Sequence, residues 1–206
     1  MTAVLDPLCW ASLADLKEHL DIDATDTSKD NFLINNLNAA FQSAKNYIGY
    51  DLNATDYVEY YDGDGSQDIL LDQFPIISIT SIYDDPARTF DSTSLVPSTD
   101  YVFYSKTGKV SKLQPVTGYI VVGIPQSPTM WSDGQLNVKV SYRAGYTTIP
   151  YDAARAVILL AAWYAQRAGT EGKNAESLGG KTVNYDPASI PLYIRQFLVP
   201  YKKFSS

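Results

Sequence analysis

The sequence predicts an α+β fold: a helical body of two N-terminal helices, one long central helix and a short C-terminal helix, with an inserted, mainly antiparallel β-lobe. Three observations lead there. Apolar residues recur at helical spacing before residue 50, from 151 to 168 and again after 190. The stretch between the first two reads instead as short β-branched or aromatic runs broken by Gly, Pro and Asp. With 206 residues, 45% of them hydrophobic, the chain is long enough for one generous domain with a smaller lobe. The expected division is a helical body over 1–56 and 147–169, an inserted β-lobe over 57–146, a flexible linker over 170–186 and a C-terminal docking segment over 187–206.

Ser12 followed by Asp15 reads as an N-cap with an acidic partner in the first turn, and Leu13, Leu16 and Leu20 then repeat at helical spacing. Thr27 or Ser28 is placed to cap a longer helix. Its apolar face is Leu33, Leu37, Ala40, Ala44, Tyr47 and Ile48, and Gly49 stands where a C-terminal cap belongs. Beyond Tyr50, the runs Tyr57–Tyr61 and Ile69–Leu71 flank Asp62-Gly63-Asp64-Gly65, which predicts a hairpin. Pro75 opens a β-branched strand over Ile76–Ile82, and further strands are expected at Tyr101–Tyr104, Val110–Leu113, Tyr119–Val122 and Leu136–Tyr142. The stretch from Gly123 to Gly134, with Pro125 and Pro128, reads as a loop.

Pro150 suits a first helical residue, and the pattern from Tyr151 to Ala168 is a helix closed by Gly169. Ala153, Ala154, Val157, Ile158, Leu160, Ala161, Trp163 and Tyr164 cover more than one stripe of it, so it is expected to be buried on several sides or against another copy. If Trp163 is core, truncating it costs about 3–5 kcal/mol. Residues 170–186 have linker composition. A last short helix is expected from Ile190 to Val199, with Pro191 in its first turn and Pro200 ending it.

Charge and chemistry narrow the function classes. A net charge of -7, with pI near 4.6, opposes tight binding to DNA phosphates but suits a surface past which a duplex slides without sticking. Cys9 is the single cysteine, so no intramolecular disulfide is called for. Met1–Trp10 has neither the basic opening nor the apolar stretch of a signal peptide, and the run Ala156–Ala165 is about half of the ~20 residues a membrane span requires. Neither secretion nor a membrane is expected.

His19 is the single histidine and lies among Glu18 and Asp21 without a nucleophile in a recognisable setting, so it reads as a solvated helix residue. One histidine and one cysteine cannot build a zinc site. Asp62, Asp64, Ser66 and Asp68 alternate like calcium ligands, but Gln67 and Gln73 stand where that loop needs glycine and glutamate, which favours a turn. Gly179-Gly180-Lys181-Thr182 ends like a phosphate-binding loop, yet Ala175 replaces its first glycine. Asp84 and Asp85 are adjacent in a turn and cannot flank a substrate as paired acids do. No catalytic, cofactor-binding or metal-binding residue is therefore assigned, and no cofactor is expected. Arg143, Arg155 and Arg167 are candidates for pairing with acids across a subunit interface, against the plainer reading of surface salt bridges. Sixteen tyrosines and seven phenylalanines supply the rigid aromatic surface that interfaces favour.

Three stretches together resemble the head-tail connector (adaptor, or head-completion) proteins of tailed double-stranded DNA bacteriophages. They are Leu13–Lys17 with Leu33–Gly49; Tyr61–Gly65 running into Phe74–Ile79; and Val138–Tyr146 followed by Pro150 and the long helix. The likeness in order and spacing covers nearly the whole chain. It implies a non-enzymatic neck subunit, made in the host cytoplasm and built into the virion. There it forms a homo-oligomeric ring of twelve below the portal protein, extends the channel for passing double-stranded DNA, and meets a downstream neck, stopper or tail protein. It also implies that the C-terminal segment reaches toward the portal, making Ile190, Tyr193, Ile194, Phe197, Leu198 and Tyr201 candidate portal contacts. The competing readings are a carbohydrate- or ligand-binding module whose tyrosine-rich lobe stacks on sugars, and a hydrolase whose cleft holds a carboxyl of raised pKa.

Overall fold

A computed structural model describes residues 2–113, 130–168, 190–202 and the backbone of 175–178 and 181–184. Helices α1 (Leu13–His19) and α2 (Asp30–Ile48) precede six strands: β1 (Thr55–Gly63), β2 (Asp68–Leu70), β3 (Ile76–Asp84), β4 (Tyr101–Tyr104), β5 (Lys109–Lys112) and β6 (Gly134–Ala144). Helix α3 (Tyr151–Arg167), a ribbon of β7 (Ala175–Leu178) and β8 (Lys181–Asn184), helix α4 (Leu192–Leu198) and a 3₁₀ turn (Val199–Tyr201) follow. The result is α+β. The chain divides into a helical unit, residues 1–51 with 148–206, and a β unit, residues 52–147.

In the helical unit, α1 starts at a complete capping box: the Asp15 amide donates to Ser12 Oγ at 3.1 Å, and Asp15 Oδ2 accepts the Ser12 amide at 3.1 Å. Leu16 is fully buried beneath it. The expected cap of α2 moves. The Ser28 amide is already held by Asp26 Oδ1 at 2.9 Å, and the N-cap is Lys29, with no side-chain bond. Lys17 compensates: its buried Nζ pairs with Asp30 at 2.6 Å and donates to the Asp26 carbonyl at 2.9 Å, fastening the turn that enters α2.

Gly49 ends α2 at φ 92°, a left-handed cap that residues with a Cβ resist. Leu33, Leu37, Ala40, Phe41, Ala44 and Ile48 form the buried face of α2 and pack against α3. Each large member contributes about 1.5–3 kcal/mol by leaving water. Trp10 closes this core edge-on to Phe41 at 5.3 Å.

Helix α3 begins after Pro150, which occupies the N-cap position, and ends at Arg167, with Ala168 at the C-cap position. It buries Ala153, Ala156, Val157, Ile158, Leu160, Ala161 and Ala162. The breadth of that face follows from its neighbours: α1, α2 and α4 all pack on α3. Trp163 is only half-buried, so the cost expected for a core tryptophan does not apply to it. The stretch expected to be a linker contains the paired backbones of β7 and β8. The two are antiparallel, with Ala175 facing Asn184 and Leu178 facing Lys181.

The β unit contains two three-stranded antiparallel sheets, in the orders β1-β6-β3 and β2-β5-β4. The hairpin expected from 57–71 does not form. β1 pairs with β6, residue Thr55 facing Ala144 and Tyr61 facing Val138, while β2 pairs with β5. The Asp62–Gln67 turn therefore hands the chain from one sheet to the other, because each strand finds a longer-range partner for its apolar face. Alternation along β6 sends Val138, Val140, Tyr142 and Ala144 inward, where they meet Ile69, Leu71, Ile76, Ile82, Val110 and Trp131.

Long-range polar bonds complete the β unit. Lys112 Nζ on β5 pairs with Asp84 on β3 at 2.5 Å, the side chains being 10% and 6% exposed, and lies 4.7 Å from the Trp131 ring centre. Glu59 accepts hydrogen bonds from the Tyr61 and Tyr142 hydroxyls; these in turn accept the amides of Asp72 and Gln73, fixing the turn after β2. Gly145, at φ 110°, lets the end of β6 pass so close that an added Cβ would stand 2.4 Å from the Asn53 carbonyl oxygen. Of the remaining expectations, the strand at 119–122 lies outside the described residues, as does the proposed loop up to residue 129. Gly134 already belongs to β6.

Candidate assembly surfaces

On the helical unit, the C-terminal segment is split by helical periodicity into two faces. Ile190, Ile194 and Leu198, four residues apart, are buried inside the unit. The opposite face presents Leu192 (69% exposed), Tyr193 (53%), Phe197 (37%) and Val199 (55%). Of the six candidate portal contacts, only Tyr193 and Phe197 are thus exposed, with Tyr201 in part; the other three are consumed in the core. Arg195 Nε donates to the Ile190 carbonyl at 2.7 Å, and Lys202 Nζ lies 5.3 Å from the centre of the Tyr47 ring.

A second surface lies where α1 runs beside the start of α3. A groove of about 570 Å³ is lined there by Asp15, Glu18, His19, Tyr151, Ala154, Arg155 and Ile158. His19 is an exposed residue of its wall and Tyr151 is 79% exposed. Next to it, a concavity of about 640 Å³ shares Glu18 and adds Asp21 and Asp23. Of the three candidate interface arginines, only Arg155 enters this groove. Arg167 stacks over the Trp163 ring at 4.7 Å, and Arg143, in the β unit, pairs with Asp56 at 3.1 Å on open sheet surface.

The outer face of the β1-β6-β3 sheet carries aromatic residues that sequence reasoning did not single out. Lys139 on β6 lies 6.0 Å from the ring centre of Tyr60, 5.6 Å from that of Tyr83 and 5.6 Å from that of Phe90. A cavity of about 600 Å³ beside it is lined by residues including Val58, Tyr60, Arg88, Phe90 and Leu136. Arg88, Phe90 and Leu136 all have positive φ, at 58°, 51° and 50°. Asp85 enforces the first two: its carboxylate accepts the amides of Ala87, Thr89 and Phe90 at 2.7–2.8 Å, which holds its pKa down to about 2. No local sequence signal marks this site, because Tyr60 and Tyr83 meet Lys139 only through the pairing of β1 and β3 with β6.

Several polar groups that sequence reading weighed for chemistry are engaged in holding the fold. Burial, and then their hydrogen bonds to Glu59, push the Tyr61 and Tyr142 phenols far above the ordinary tyrosine value, fixing them as neutral donors. Burial likewise raises the Cys9 thiol. Asp62 Oδ1 accepts the Leu136 amide at 2.7 Å, Asp64 Oδ1 accepts the Ser66 amide at 2.9 Å, and Asp68 pairs with Lys109 at 2.8 Å, so the calcium-like run fastens backbone and strand. Among the described residues, no group of three or more His, Cys, Asp or Glu side chains is arranged to hold a metal ion. No helix among them is long and apolar enough to cross a membrane.

Exposed apolar faces on both folded units are the surfaces that an assembly subunit presents to its neighbours. The chain belongs to the head completion protein family, whose model matches residues 11–204. It is accordingly a structural head-tail connector subunit and a component of a virion. Three solved structures share its fold, each covering 100% of this chain and 96% of its own. The neck of an empty gene transfer agent particle, computed with C6 symmetry, is 18% identical at a TM-score of 0.58. The neck of the native particle, computed with C12 symmetry, is 16% identical at 0.56, and the virion of the native particle gives 17% at 0.59. No curated protein matches the sequence.

Proposed function

We propose that this protein assembles as a ring of twelve copies beneath the portal of a filled head, extends the DNA channel and offers its far side to a downstream neck or tail protein. The observation that carries the proposal is the family match across nearly the whole chain. Support for the ring comes from the gene transfer agent necks, whose related chains sit in particles treated with C6 and C12 symmetry. The role is mechanical: side chains bind neighbours, and no bond of a substrate is made or broken. An excess of seven negative charges per copy gives a lumen that repels the duplex and lets it pass.

The contacts are drawn from the exposed apolar residues, since burying them on association removes them from water. Electron microscopy of the protein mixed with the portal of the same phage tests the reading. Closed rings seated coaxially on the portal are expected, and a protein that binds no portal at any concentration overturns it.

A further inference from the structure

We infer that the exposed face of α4 docks on a neighbouring copy of this chain, in the acid-rimmed groove between α1 and α3; the inference rests on the ring proposed above. A ring needs two different, complementary patches on the same chain, one for each neighbour. Copies that each carry -7 repel, so unlike charges have to meet at the contact.

The C-terminal segment supplies one sign. Residues 187–206 contain Arg195, Lys202 and Lys203 and no acidic residue, so the rest of the chain carries the entire negative excess. In the same segment Leu192, Tyr193 and Phe197 are apolar and open to water, and Lys202 is exposed beside the Tyr47 ring. The α1 side supplies the other sign. Asp15, Glu18, Asp21 and Asp23 are all exposed there, with Arg155 as the groove's own cation and Lys17 already committed to Asp30. Ala154 and Ile158 line the groove between them, and Tyr151 stands open at its wall. Its volume of about 570 Å³ accommodates one or two large side chains. Both patches rest on the same helix, α3, so the contact would run from one α3 to the next around the ring.

Charge reversal in the full-length protein tests the pairing, read by sedimentation velocity for self-association and by electron microscopy for closed rings. Glu18→Lys and Lys202→Glu, both at exposed positions, are each expected to lower the association constant about tenfold, and the chain carrying both is expected to recover most of it. Tyr193→Asp is expected to abolish rings while leaving the circular dichroism melting temperature unchanged, which separates assembly from folding. Rings indifferent to all three changes overturn the inference and leave the connector reading standing. A double variant weaker than either single one overturns it as well, because the two patches then do not face each other. Loss of portal binding by Lys202→Glu with rings intact would assign the face to the portal and defeat the inference. A wild-type chain that never self-associates defeats both readings.

Discussion

The two units reach stability by different routes. The helical unit is held by apolar stripes meeting on α3, with buried residues following the 3.6-residue period and one buried cation, Lys17, fastening a loop. The β unit has an apolar centre too, but its strands are tied by polar groups far apart in sequence. Lys112 pairs with Asp84, Glu59 takes two phenolic hydrogen bonds, and Asn137 receives the Gly63 amide at 2.8 Å while donating to the Ser132 carbonyl at 2.7 Å. A stripe tolerates small changes in volume and can repack. A buried polar network fails when one member is removed, because the remaining group is left without a partner in a low dielectric.

Substitution at one site in each unit breaks that comparison into measurable parts. Asp84→Ala is expected to have the largest effect, about 3–5 kcal/mol in denaturant unfolding, since it strands the Lys112 ammonium inside the β unit. The companion Asp84→Leu/Lys112→Met removes both charges and is expected to recover most of that loss. If the single and double changes cost the same, the pair matters for shape and not for charge. Leu37→Ala, at a fully buried position of α2, is expected to cost about 2–5 kcal/mol in proportion to the cavity it leaves. Here Leu37→Met is expected to be nearly neutral, which no exchange at Asp84 on its own should match.

The same contrast explains what could be read from the sequence. Helices α1, α2 and α3 were legible because their signals are local: the Ser12–Asp15 box, the Leu33–Ile48 stripe, Gly49 and Pro150 each act within a few residues. The α4 face was legible in part: helical spacing groups Ile190, Ile194, Phe197 and Leu198, and three of these turned inward while Phe197 stayed outside with Tyr193. In the β unit the runs themselves were visible, but their partners were not. The turn at Asp62–Gly65 looks like a hairpin by composition, and only the competing ladders with β6 and β5 decide otherwise. The groove flanked by Asp15 and Arg155 was invisible for the same reason, since it joins residues some 140 positions apart. The aromatic cluster around Lys139 required knowing that Tyr60 faces Lys139 and Lys139 faces Tyr83 across two ladders.

The smallest expected effect sharpens the comparison at a single loop. Asp85 holds its folded-state pKa at about 2 through the Phe90 amide, the Thr89 hydroxyl and the Ala87 and Thr89 amides, below the ordinary aspartate value of about 3.9. A depressed carboxyl stabilises the fold at pH values above its ordinary value, and that contribution is withdrawn as pH falls from about 4 through about 2, when the folded form must also take up the proton. The loss should be local, because Asp85 organises only residues 86–90. Amide exchange or NMR shifts at Ala87, Thr89 and Phe90 are expected to change across that window before the rest of the β unit responds. The Asp85→Asn protein should show the altered loop at neutral pH and no further transition on acidification. If Arg88 and Phe90 kept their left-handed backbone in that variant, the positive φ angles would belong to the loop's own sequence and not to the carboxylate that grips it.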